Sequence, residues 1–267
     1  MLNTKMIYRI MGFLILIETA MLLSCIGVSL YYQEDDLNSF LLTTGITFIT
    51  GNLLLLMGRN AEKSLSKRDG YVIVSIVWVV FTIFGMLPFY LSGYIPDITN
   101  AFFETMSGFT TTGATILDNI ESLPHGLLFW RSMIQWIGGL GIVFFTIAVL
   151  PIFGIGSMQL FAAEATGPTH DKIHPRIGVT AKLLWSIYLV LTISETILLM
   201  FGGMSLFDAV CHSFTTTATG GFSTKQASIA YYNSAYIEYV ISIFMILSGL
   251  NFTLYFFMIK GKVRKFF

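Results

Sequence analysis

The chain has 267 residues, of which 55% are hydrophobic and only 11% charged, with a mean hydropathy of +0.75. A soluble domain is nearer 25% charged, so the composition describes an integral membrane protein and excludes a large soluble core. Fifteen Lys and Arg balance fifteen Asp and Glu to a formal net charge of zero, which argues against nucleic-acid binding.

A helix needs roughly 20 apolar residues to cross a bilayer, and six stretches offer them: residues 7–30, 40–57, 71–90, 127–150, 180–201 and 236–259. The first follows Lys5 and Arg9, as a signal peptide's apolar region would. It is too long for that role and lacks a small-residue cleavage site, so a retained helix is expected. Between the third and fourth spans, and again between the fifth and sixth, lie half-apolar segments at 98–109 and 205–214 that are too short to cross. Each opens on a helix-start signal, Asp97 or Thr99 in one and Ser205 or Asp208 in the other. Each then runs into small, hydroxylated residues broken by glycine: Thr110-Thr111-Thr112-Gly113-Ala114-Thr115, and Thr215-Thr216-Thr217-Ala218-Thr219-Gly220-Gly221-Phe222-Ser223. The expected fold is an all-α membrane protein with six transmembrane helices and two re-entrant loops. In each loop a half-helix enters the membrane and an extended segment returns to the same side.

An internal repeat supports this reading. Asn100-Ala101-Phe102-Phe103-Glu104 aligns without gaps to Asp208-Ala209-Val210-Cys211-His212, and Thr112-Gly113 then falls on Gly220-Gly221, 108 residues on. The expected organisation is a leading two-helix segment (1–69), a first helix, pore loop, helix repeat (70–151), a cytoplasmic linker (152–175) and a second repeat (176–267). Lys and Arg set the orientation. With a cytoplasmic N-terminus, thirteen of the fifteen fall inside, and only Arg131 and Lys225 lie near the outer side. Both termini are then cytoplasmic. Glu34, Asp35, Asp36, Asp97, Asp118, Glu121, Asp208 and Glu238 lie outside; they concentrate cations at an outer mouth or are ordinary solvated loop charges.

Irregular backbone at membrane depth is tolerated only where protein covers it or it lines a watery cavity. A cation leaving water needs its hydration oxygens replaced, which rings of backbone carbonyls achieve when the residues are small. Glycine admits backbone conformations barred to residues with a Cβ. The two runs meet these needs, and a half-helix aiming its C-terminal end at the cavity adds partial negative charge there. Positive side chains are absent from both runs, which weakens an anion pore. The second run's two glycines leave its register open by one residue: ungapped alignment sets Gly221 against Gly113, while the Thr-Gly match prefers Gly220.

Glu104 and His212 occupy equivalent places in the half-helices, where they either steady the filter backbone or face a polar mouth. Glu18 and Glu195 are ionisable groups inside spans and so functional candidates by default. Glu18 is expected to face protein or an interfacial water and Glu195 to make a helix-packing bond. Gly138-Gly139, Gly141, Gly154 and Gly156 let helices approach closely. Trp78, Trp130, Trp136 and Trp185, with Tyr31, Tyr32, Tyr231 and Tyr232, read in part as an interfacial belt. Cys25 and Cys211 read as buried small apolar residues. His170 and His174 lack a third ligand for a metal, and their linker, with Glu164, Lys172 and Arg176, suits a cytosolic regulator or plain solvent. With no nucleophile-and-base pair, an enzyme is not expected.

These motifs carry a resemblance. Ala101-Phe102-Phe103-Glu104, the run at 110–115, Gln135-Trp136-Ile137-Gly138-Gly139-Leu140-Gly141, Leu150-Pro151-Ile152-Phe153-Gly154-Ile155-Gly156 and Gly220-Gly221-Phe222-Ser223-Thr224 together resemble the TrkH/KtrB family of bacterial potassium transporters, across essentially the whole chain. The resemblance implies a channel-like potassium uptake subunit of the inner membrane with a cytosolic, nucleotide-binding regulatory partner. It further implies potassium held by Thr110, Thr111, Thr112 and Gly113 in one loop and Ala218, Thr219, Gly220 and Gly221 in the other. Family members carry four repeats where this chain carries two. A pore is then expected to need a second copy about a twofold axis or a separately supplied second half, unless the sequence is a piece of a longer one. The alternative function is a non-conducting subunit that scaffolds or regulates a full-length transporter.

Overall fold

The computed structural model describes residues 2–61, 66–141, 177–250 and 255. Helices and loops make up these residues, with no β-strand among them. In chain order the helices are α1 (Thr4–Tyr32), α2 (Leu37–Met57), α3 (Lys67–Gly85), α4 (Leu87–Leu91), α5 (Ile98–Phe109), α6 (His125–Gly139), α7 (Ile177–Phe201), α8 (Leu206–Thr217) and α9 (Ala235–Gly249). Short 3-10 turns lie at Ile120–Ser122 and Ser228–Tyr232. Among the described residues, four stretches are long and apolar enough to cross a membrane: Thr4–Tyr32, Leu37–Met57, Arg68–Leu91 and Leu183–Phe201. The protein is a multi-pass membrane protein. The expected spans 127–150 and 236–259 are seen as α6 and α9 over their first parts, and the rest of each, Tyr255 apart, lies outside the described residues.

α1 and α2 form a hairpin closed by Gln33, whose left-handed backbone (φ 56°) lets its N–H donate to Ser29 O. Glycines set how close the two helices come. A Cβ on Gly12 would lie 2.8 Å from Gly51 O, and one on Gly51 would lie 2.8 Å from Leu16 Cγ. α1 buries a stripe of Met6, Ile10, Leu14, Glu18, Leu22, Cys25 and Ser29, the three-to-four spacing of one helix face. That stripe joins α3, α5 and α6 in one core with Phe81, Phe89, Phe109, Leu127, Trp130 and Ile134. At the far end, Asn3 N–H donates to Asp69 Oδ1 at 3.0 Å, and Asp69 forms a capping box with Ser66 at the start of α3.

α3 and α4 are one span interrupted at Met86. Pro88 has no N–H for the Phe84 carbonyl four residues back, and at the adjoining carbonyl Trp130 Nε1 donates to Gly85 O at 2.8 Å. Trp130 is thus a core residue, 0% exposed, which corrects its place in the interfacial belt. Trp136 is likewise turned inward, donating to Thr192 Oγ1 at 3.1 Å. The belt reading overlooked that an indole N–H can be satisfied by a neighbouring helix as well as by the headgroup region.

The half-helices sit where the half-apolar segments put them. α5 covers 98–109, as the pattern predicts, whereas α8 runs three residues beyond the expected end at Phe214. The threonine run reads as the start of the loop, but its hydroxyls turn back onto the helix: Thr215 Oγ1 donates to His212 O at 3.1 Å. Thr217 therefore ends α8, and Phe109, 108 residues earlier, ends α5.

Candidate ion-binding site

Both half-helices are 12 residues long, about 18 Å at 1.5 Å per residue, or roughly half a bilayer core. Their starts are capped alike, Asp97 accepting from Asn100 N at 2.8 Å and Ser205 from Asp208 N at 3.1 Å. Their C-terminal ends, carrying the negative pole of the helix dipole, lead into the two glycine runs.

Those runs share one backbone conformation. Thr110, Thr111 and Thr112 N–H donate to Met106, Gly108 and Ser107 carbonyls at 2.9, 3.0 and 2.9 Å; Ala218, Thr219 and Gly220 N–H donate to Phe214, Thr216 and Thr215 carbonyls at 3.1, 2.9 and 2.9 Å. Positive φ falls at Thr111 (53°) and Gly113 (75°) in the first run, and at Thr219 (56°) and Gly221 (82°) in the second. Every feature is displaced by 108 residues, so the register is the ungapped one, with Gly221 standing where Gly113 stands. A non-glycine residue held at positive φ is uncommon and costs energy, and here it recurs at equivalent places. The N–H groups point back to their helices. Among the described residues no hydrogen bond is donated to the carbonyl oxygens of Thr110, Thr111, Thr112 or Gly113, nor to those of Ala218, Thr219, Gly220 or Gly221. Thr110, Thr112, Thr219 and Gly221 are exposed on the open side. The runs lie side by side, and a Cβ on Gly113 would overlap Gly220 O.

Behind the runs stands a polar frame. The Glu104 carboxylate accepts from Thr115 Oγ1 at 2.9 Å, from Ile116 N at 3.0 Å and from Arg131 Nε at 2.7 Å. Arg131 Nη1 crosses to donate to Ser223 O at 2.9 Å, and its guanidinium lies 3.6 Å from the centroid of the Phe222 ring. Glu104 and Arg131 are 0% and 2% exposed, so each charge depends on the other. His212 stands opposite Ser223 as Glu104 does opposite Thr115: its Nδ1 donates to Asp208 O at 2.7 Å, and its Nε2 is 2.9 Å from Ser223 Oγ. Gln135 wedges between the runs, accepting from Phe222 N at 3.1 Å, and a Cβ on Gly220 would overlap its side-chain amide.

Two glycines of α6 seat the runs. A Cβ on Gly138 would overlap Phe109 O, and one on Gly139 would come within 2.5 Å of Ala218 Cα and 2.7 Å of Tyr188 Oη. The Tyr188 hydroxyl donates to Trp136 O at 2.8 Å. Thr192 Oγ1 then lies 3.4 Å from Thr217 Oγ1, which lies 3.4 Å from Glu195 Oε2. Glu195 does make contact between helices, although Oε1 has no partner among the described residues. Glu18 is 0% exposed and faces protein, where a Cβ on Gly85 would be 3.2 Å from its Oε1. Cys25 and Cys211 are buried and free. His170 and His174, Gly154 and Gly156, and the linker 152–175 lie outside the described residues.

Two acidic residues of the α1–α2 connection hold the leading hairpin to α6. Glu34 accepts from His125 Nδ1 at 2.7 Å, and Asp36 accepts from Leu127 N at 3.1 Å, both at the start of α6. The structural partner missed in the sequence is Arg131. Counted by loop it is merely a residue on the outer side, yet it lies inside the expected span 127–150, and a charge at that depth signals a buried partner.

Residues 37–266 match the model of a family described as TrkH, cation transport protein. The Trk system potassium uptake protein TrkH of Escherichia coli K12 is 43% identical over 99% of this chain and 55% of its own length. The Trk system potassium uptake protein TrkG of the same organism is 36% identical over 98% and 55%. The crystal structure of the potassium transporter TrkH from Vibrio parahaemolyticus superposes with a TM-score of 0.82 at 37% identity, over 99% of this chain and 54% of that one. The chain thus spans about half the length of the relatives it matches. On the family match and these identities, the chain belongs to the TrkH family of cation transport proteins.

Proposed function

We propose that the chain supplies two of the four filter strands of a potassium uptake pore. Potassium passes along the carbonyls of Thr110, Thr111, Thr112 and Gly113 and of Ala218, Thr219, Gly220 and Gly221, where oxygens replace its water. The observation that carries this reading is the pair of runs in one register, with amides turned back to the half-helices and eight carbonyls without a hydrogen-bond donor among the described residues. Carbonyl oxygens gathered on an open face, with their lone pairs free, suit a cation that takes them as ligands. Glu104, Arg131, His212 and Gln135 hold the strands from behind.

Two strands surround an ion on one side only. The other side is supplied by a second copy of the chain or by a second half, separate or continuous with this sequence, which spans about half the length of its relatives. On this reading the protein sits in a bacterial inner membrane with both termini cytoplasmic, as its Lys and Arg distribution favours. A nucleotide-binding subunit regulates it from the cytosol. Potassium-limited growth rescue, or flux into liposomes, tests the proposal: flux is lost in Gly113→Ser and in Gly220→Asp. A wild-type chain that carries no potassium in any assembly, with a second copy or a second half supplied, instead marks a non-conducting, regulatory subunit.

A further inference from the structure

Away from the filter, where the half-helices begin, a cavity of about 270 Å³ lies between the end of α1 and the starts of α6 and α8. Its wall carries both signs of charge, Glu121 and Asp208 against Lys225, with the His125 imidazole beside them. Through Tyr32, Ser205 and Phe207, which line both spaces, it continues into an apolar groove of about 460 Å³. The groove runs down α1 past Val28 and Gly27 to Ser24, opposite Leu206 and Val210 of α8. From Tyr32 to Ser24 is eight residues, or about 12 Å along the helix. The space therefore has a charged chamber at the end of a spanning helix and an apolar channel leading from it into the membrane.

The doorway between the two is built. The Tyr32 ring stacks on His125 at 3.8 Å with planes 5° apart. Phe207 meets both rings edge-on, at 5.6 and 4.7 Å, and Glu34 fixes His125. In the chamber, Lys225 Nζ is 3.9 Å from Asp208 Oδ2, a loose pairing that leaves ammonium protons available to an anion. Glu121 is exposed beside it. Down the groove polarity is closed off, since Ser24 Oγ donates to Met21 O at 2.6 Å. Water gains little in such an apolar space. Among the described residues Glu121 has no ion-pair partner, so the chamber offers a carboxylate and a loosely held ammonium to a ligand that carries both charges.

We propose that this two-part space binds one phospholipid with a zwitterionic, amine-bearing headgroup. Its phosphate lies toward Lys225, its ammonium toward Glu121 and Asp208, and one acyl chain lies in the groove over Gly27. A Cβ on Gly27 would meet nothing within 4 Å, so a large residue there fills the groove without disturbing protein packing.

Native mass spectrometry of the purified chain, titrated with dioleoyl phosphatidylethanolamine, phosphatidylcholine or phosphatidylglycerol, tests this independently of ion flux. The expected result is one tightly held phosphatidylethanolamine per chain, weakened at least about tenfold by Gly27→Trp at unchanged melting temperature. Lys225→Gln is expected to erase the preference among headgroups. Equal binding by wild type and Gly27→Trp, equal affinity for all three lipids, or a dimer that Gly27→Trp splits into monomers would each overturn the assignment.

Discussion

Three glycines of the candidate filter are glycine for different reasons, and their alanine variants separate those reasons. Gly221 holds φ at 82° with open space where a Cβ would go, so Gly221→Ala costs only the left-handed strain of about 1–2 kcal/mol. Gly220 is limited by room, its Cβ overlapping Gln135, and Gly113 by both strain and the neighbouring strand. Potassium uptake by cells growing on limiting potassium should therefore fall partially in Gly221→Ala and be abolished in Gly113→Ala and Gly220→Ala. Equal loss in all three would mean that local crowding does not set the strand geometry. Behind the strands, Glu104→Gln leaves Arg131 buried without its countercharge, at about 3–5 kcal/mol, whereas His212→Ala removes uncharged hydrogen bonds at about 1–3 kcal/mol. Thermal unfolding in detergent should rank Glu104→Gln as the less stable. Glu104 and His212 were legible as a pair because the repeat aligns them. Arg131 was not, because a tally of charges by loop records sides of the membrane and is blind to partners 92 residues away, such as Ser223.

Among the elements, the half-helices were the most legible. Asp97 and Ser205 announce their starts, and their length is too short to cross. The end of α8 was misplaced by three residues because threonine reads as a loop former, while in a helix its hydroxyl can return to a carbonyl three or four residues back. How tightly the elements pack could be anticipated only as a general use of glycine. The specific partners, Phe109 O against Gly138 and Gly51 O against Gly12, depend on tertiary placement. Two substitutions separate these contacts. Gly138→Val drives a side chain into the end of α5 and should abolish potassium uptake at normal expression. Gly12→Leu opens the α1–α2 hairpin, where its Cβ would meet Gly51 and Leu55 and neither run, and should lower the melting temperature while leaving the uptake of the remaining folded protein near wild type. If Gly12→Leu silenced uptake in folded protein, the leading hairpin would have a part in conduction that this account does not give it.

At the scale of the molecule, the membrane character, the all-helical fold and the family were all accessible from sequence, because hydropathy and the glycine motifs report directly on bilayer and backbone constraints. The register of the second run was not, since two adjacent glycines satisfy the same composition, and the backbone settled it through φ at Thr219 and Gly221. The central claim is that these two runs are half of a carbonyl filter. It is tested most directly by potassium flux into liposomes reconstituted with the chain, alone or with a separate second half, with the mass of the reconstituted particle measured alongside. Potassium flux is expected only from particles holding two copies or both halves, and is expected to be lost in Gly113→Ala. Flux from a strictly monomeric particle, or flux indifferent to Gly113→Ala, would contradict it.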